Sequence, residues 1–210
     1  MRDTEKISFY SHFIGFIAAI LGTGILLYLS KDSESKILIS LIYGASVAFL
    51  FLTSSLYHAF KKSEGEISFW RKLDHFAIFV MIAGTYTPIS YMYLPSYWKW
   101  SIITLQWALV LGGFFFKFFY LNAPRHLYTI IYLLMGWIGI IPIKYFLMSM
   151  PSAGIVLLIA GGLSFTIGAI FYMSKKPNIK IGFGFHEIFH LFILLGAFFH
   201  YSLVYITIAS

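Results

Sequence analysis

Cysteine is absent from this 210-residue chain. Disulfides, thiolate metal sites and cysteine nucleophiles are therefore excluded. Any zinc would have to be held by His, Asp, Glu or water. Charge is scarce as well. Charged residues make up 11% of the chain and acidic ones number eight, against a norm of roughly 25% charged in soluble domains. No basic stripe interleaves with exposed aromatics, so the net charge of +7 does not indicate a nucleic-acid partner. No small-x-small cleavage pattern follows the first apolar block, which gives way after Leu29 to "SKDSESK". That block reads as a retained helix and not a signal peptide. Internal repeats, low-complexity tails and a second domain are all missing.

What the chain does have is hydrophobic length. Apolar residues make up 60% of it, in long blocks that no soluble fold could bury. The chain is expected to be an all-α, polytopic membrane protein forming one domain over residues 1–210, resident in the cell membrane. A spanning helix needs about 20 mostly apolar residues. Seven segments qualify: Phe13–Leu29, Ile37–Phe60, Phe76–Leu94, Trp100–Phe116, Leu127–Ile143, Ala153–Met173 and His186–Ala209. Pro142 is expected to close the fifth, and Pro88 to kink the third. Eleven of the fifteen Lys and Arg fall in the N-terminal tail and in the second, fourth and sixth links. The positive-inside rule then puts the N-terminus in the cytoplasm and the C-terminus outside. Tyr91, Tyr93, Tyr97, Trp98 and Trp100 gather at the third link, as an interfacial aromatic belt does.

Polar groups inside membrane helices are costly and mark function by default. Ser54 and His58 lie in the last turns of the second segment, and Asp74 lies at the entrance to the third. His186 and His190 open the seventh, and His12 stands at the same level. Topology brings these to one leaflet. The stretch "GFGFHEIFHLF" (182–192) contains the H-E-x-x-H pattern of zinc peptidases, with both imidazoles on one helix face. A membrane peptidase of the site-2 class would also need an Asp-Gly block, and no Asp-Gly pair occurs. His58 is the better third ligand. His58, His186 and His190 with a water would make an open tetrahedral zinc site, and zinc would bring that water to a near-neutral pKa. Asp74 is the first candidate base, Ser54 can reach the water or a substrate oxygen, and Glu187 is the alternative base. The duller readings are an N-cap for Asp74, a hydroxyl bonded to its own helix for Ser54, and interfacial or carbonyl-bonded histidines. His75, His126 and His200 do not fit as ligands.

The blocks "SSLYHAF" (54–60), "KLDHFAIFVMIAGTYTP" (72–88) and "HEIFHLFILLGAFFH" (186–200) resemble the signature blocks of the haemolysin III family. That family is the bacterial branch of the progestin and adipoQ receptor superfamily. "EKISFYSHFIGF" (5–16) resembles its opening motif, with Glu5 seven residues before His12 and Ser8 where the family usually has Asn. The resemblance covers the chain in order. It implies seven helices and a zinc ion near the cytoplasmic side, held by His58, His186 and His190, with Asp74 and Ser54 around its water. The superfamily includes alkaline ceramidases, which are zinc-dependent lipid amidases. Three functions follow as expectations. The first is a zinc-dependent hydrolase of an amide or ester in a membrane lipid. The second is a membrane-homeostasis sensor or receptor with structural zinc. The third is a pore-forming haemolysin.

Overall fold

The computed structural model describes residues 1–63, 65–119, 124–180 and 182–210. Among the described residues eight α-helices run in order: α1 Lys6–Ser30, α2 Glu34–Phe60, α3 Phe69–Tyr93, α4 Ser96–Phe119, α5 Arg125–Gly136, α6 Ile143–Ser149, α7 Ser152–Ser174 and α8 Phe185–Ala209. Six are long and apolar enough to cross a membrane. The pair formed by Arg125–Ile140 and Ile143–Ser149, bent by 54°, makes a seventh span if counted as one. The outer faces are apolar, with Leu21 65% and Met148 74% exposed. In water such a surface would be untenable, and against lipid it is expected. The protein is a multi-pass membrane protein.

The first two polar links supply start signals. Ser33 accepts a hydrogen bond from the Lys36 N–H and opens α2. Ser68 accepts from the Arg71 N–H at 3.2 Å and opens α3. The third helix therefore begins more than a turn before Phe76, the start expected from hydropathy. It also runs unbroken through Pro88.

The fifth span departs most from expectation. Its helix ends at Gly136, a 3-10 turn occupies Ile138–Ile140, and Pro142 precedes α6 instead of closing α5. A break within a membrane must have its backbone groups satisfied by neighbours. Here the Tyr86 hydroxyl from α3 donates to Gly136 O and accepts from the Gly139 N–H, both at 2.7 Å. Gln106 from α4 donates to Met135 O at 3.0 Å. The link expected to be a loop at 174–180 carries strand β1 (Asn178–Lys180), paired antiparallel with β2 (Phe183–Gly184).

The helices close into a ring, with α1 against α2 and α8, α2 against α3, α7 against α8, and α5 bridging α3 and α7. The fourth helix packs outside on α3. Two glycines allow the approach that the site needs. A Cβ at Gly15 would stand 2.8 Å from Leu194 and 2.9 Å from Phe51, so only glycine lets α1 press on α2 and α8 together. A Cβ at Gly84 would collide with the Ser46 side chain between α3 and α2. The main core gathers around Tyr43, Phe51, Leu203 and Val204, and Phe51 meets His12 edge-on where the core reaches the histidines. At the end away from the histidines Thr207 meets the Tyr93 hydroxyl, Tyr91 stacks edge-on with Trp100, and Lys99 sits over Tyr91. The expected aromatic belt is thus a physical cluster.

Candidate metal centre

His58 lies in the last turn of α2, and His186 and His190 lie in the first two turns of α8. Their ligand nitrogens all fall within 4.8 Å of one another. The Nε2 atoms of His58 and His186 are 3.4 Å apart. Two nitrogens bound at about 2.0–2.1 Å to one tetrahedral ion stand about 3.3–3.4 Å apart, by geometry. The donor set and this spacing therefore fit a divalent metal with a preference for imidazole, with three protein ligands and an open position.

Glu5 at the start of α1 fixes the first ligand. Its Oε2 lies 2.6 Å from His58 Nδ1, and its Oε1 accepts from Lys61 Nζ at 2.8 Å. A carboxylate only accepts, so His58 donates through Nδ1, which leaves Nε2 as the nitrogen offered to a metal. Ser8, one turn on, donates to Glu187 Oε1 at 3.2 Å. His12, a turn further, stacks on His190 with ring centroids 3.8 Å apart. Both its ring nitrogens are buried without a partner among the described residues. Residues i, i+3 and i+7 share one helix face. That face of α1 touches both arms of the histidine cluster. The resemblance of the opening motif assigns Glu5, Ser8 and His12 no roles. Their spacing on one face was the signal that could have supplied them.

Asp74 sits in the second turn of α3, because Ser68 is the cap. Its reading as an N-cap is therefore corrected. Asp74 lines a cavity together with Ser54, His186 and His190, within interaction range of Ser54 and His58. Its surface is part-exposed although it lies deep in the bundle, because what it faces is cavity. Thr53 and Ser55 turn their hydroxyls back onto the carbonyls of α2, whereas Ser54 lines the cavity. Glu187 has other partners. Its Oε2 accepts from the Gly184 N–H at 2.7 Å and its Oε1 from Ser8, so it caps α8 and ties α8 to α1. Among the histidines set aside, His126 is exposed. His75 Nδ1 lies 3.4 Å from Lys117 Nζ, and His200 packs against Phe165.

The cavity holds about 490 Å³. It begins among polar groups at the histidine end and runs between α3, α5, α7 and α8 past Ile78, Met81, Leu133, Phe165 and Ile193 to Trp137. Trp137 is itself exposed on the outer face of the bundle and bonds Thr166 on α7.

Residues 2–201 match the family described as "Haemolysin-III related". The chain is 35% identical over 189 residues to "Hemolysin-3" of Bacillus cereus, covering 89% of this chain and 84% of that protein. It is 36% identical over 191 residues to the "Hemolysin-3 homolog" of Bacillus subtilis (strain 168), covering 89% and 86%. A "Monocyte to macrophage differentiation factor" of Homo sapiens is 29% identical over 205 residues, covering 93% and 81%.

Proposed function

The chain belongs to the haemolysin-III related family, and from that premise we propose that it is a zinc-dependent hydrolase of an amide or ester bond in a membrane lipid. One observation carries the reading. His186 and His190 share the wall of a cavity with the Asp74 carboxylate and the Ser54 hydroxyl, and His58 clusters with the two histidines. His58, His186 and His190 are the proposed ligands. A bound zinc ion would polarise a carbonyl and bring a water to a near-neutral pKa. Asp74 then accepts the proton given up by the attacking water and passes it to the leaving group. Ser54 donates a hydrogen bond to a substrate oxygen or to Asp74. The apolar inner wall receives the acyl chain, and Trp137, which lines the cavity and is exposed on the outer face, marks its lateral entry from the bilayer. The surplus of Lys and Arg at this end supports a site in the cytoplasmic leaflet.

A sensor with structural zinc is the second reading. Three protein ligands argue against it, because structural sites are ordinarily closed by four. Pore formation draws on the name of the Bacillus cereus relative, and a wall built of Ile78, Met81, Leu133, Phe165 and Ile193 does not serve ions. Purified protein in nanodiscs, presented with amide- and ester-linked lipids, tests the proposal. The wild type should release fatty acid, and His58→Ala and Asp74→Asn should each lower turnover by about 100-fold or more. Equal turnover in folded variants would refute it.

A further inference from the structure

The cavity wall facing the histidines carries more positive charge than the described residues neutralise. Arg71 on α3 and Arg125 on α5 both line it. Behind them Lys117 is 0% exposed, with Nζ 3.6 Å above the Tyr128 ring and 3.4 Å from His75 Nδ1. All three cations lie within electrostatic reach of His75, which also lines the cavity. The ion pairs among the described residues are Lys6–Asp3, His58–Glu5 and Lys61–Glu5, and none involves these cations. Asp74 lies within reach of Arg71, one negative charge against the two guanidinium charges of Arg71 and Arg125 on the wall. Glu5 and Glu187 already have partners.

These cations are not ordinary juxtamembrane charge. Lys62, Lys175 and Lys176 point into the surroundings and are exposed, whereas Arg71 and Arg125 are half-buried on a cavity wall. Each is anchored through a single nitrogen. Arg71 Nη1 donates to Gly65 O and Glu66 O. Arg125 Nη1 donates to Tyr172 O while the guanidinium stacks on the Tyr172 ring. A guanidinium has five N–H donors, and its fork matches the oxygens of phosphate. Surplus positive charge in a low-dielectric interior is costly until an anion meets it.

We propose that this wall binds the phosphate group of an anionic amphiphile whose chain lies along Ile78, Met81, Leu133 and Ile193. This names the head group of the ligand. It rests on the reading of the cavity as a lipid site, though not on hydrolysis.

The test measures binding, not turnover, so an inactive protein does not decide it. The full chain in a non-ionic detergent is titrated with dihexanoyl phosphatidic acid, dihexanoyl phosphatidylcholine and inorganic phosphate. The readouts are tryptophan fluorescence, which includes Trp137 in the cavity, and the melting temperature. Phosphatidic acid should bind about tenfold or more tightly than phosphatidylcholine, the weight of one charge-assisted hydrogen bond, and more tightly than phosphate alone. Arg71→Gln/Arg125→Gln should remove that preference, and stripping the metal with a chelator should leave it. Equal affinity of the wild type for the two lipids would overturn the proposal, whether or not the variant folds. Inorganic phosphate binding as tightly as phosphatidic acid would overturn the lipid part. A preference that survives in the variant but vanishes on stripping would assign the anion to the metal and overturn the arginine site.

Discussion

Removing Glu5 should weaken metal binding without touching a ligand. The carboxylate is 4% exposed and its partner His58 is 1% exposed. The 2.6 Å contact from Oε2 to Nδ1 is short, as expected for a charge-assisted bond. In Glu5→Ala the imidazole is free to rotate or to move its proton to Nε2, the nitrogen that faces His186. Loss of such an outer partner typically costs 10–100-fold in metal affinity, or about 1.4–2.7 kcal/mol. Glu5→Gln keeps an acceptor for Nδ1–H and gives up the charge, so its loss should be smaller, on the order of a few-fold. The assay is competition for zinc against a chromophoric chelator, with cobalt absorption reporting the coordination geometry. Alanine should give weaker binding and an altered cobalt spectrum, and glutamine should recover most of both. Glu5→Ala with wild-type affinity and an unchanged spectrum would show that the contact does not set the site.

Two further substitutions separate roles that the sequence left open. Glu187→Gln retains an acceptor for the Gly184 N–H and should leave lipid turnover within a few-fold, because Asp74 takes the proton; a loss of about 100-fold would return Glu187 to the position of base. Gly84→Leu forces a side chain into Ser46 between α2 and α3, and overpacking of this kind costs about 1–3 kcal/mol. Its melting temperature should fall, and an unchanged melt would show that the two helices can separate freely there.

The spans and the grouping of polar residues were legible in the sequence because hydrocarbon demands long apolar blocks and penalises each exception. Hydropathy marked the hydrocarbon-length part of each helix, not its ends. The turns Lys6–His12 and Phe69–His75 carry polar residues, so the apolar windows began after them. Glu5, Ser8 and Asp74 act in those turns. The broken fifth span was illegible for the opposite reason. Leu127–Ile143 is mostly apolar across the break, and the break is made tolerable by Tyr86 and Gln106 from other helices. Asp74 and Ser54 could be placed at the right level from spacing alone. That Ser68 caps α3, freeing Asp74 for the cavity, and that Glu187 caps α8 depend on backbone geometry which hydropathy does not carry. Lys117 counts in the sequence as a cytoplasmic link charge, because the fourth apolar segment ends at Phe116; it is in fact buried in α4 against Tyr128 and Tyr132 of α5, far along the chain.

The most direct test of the account is the metal content of protein purified in detergent without added chelator, measured by mass spectrometry beside the His186→Ala/His190→Ala variant. The account predicts about one zinc per chain in the wild type and none retained by the folded variant. Wild-type protein free of zinc, or a variant that keeps it, would contradict the three-histidine centre and everything built on it.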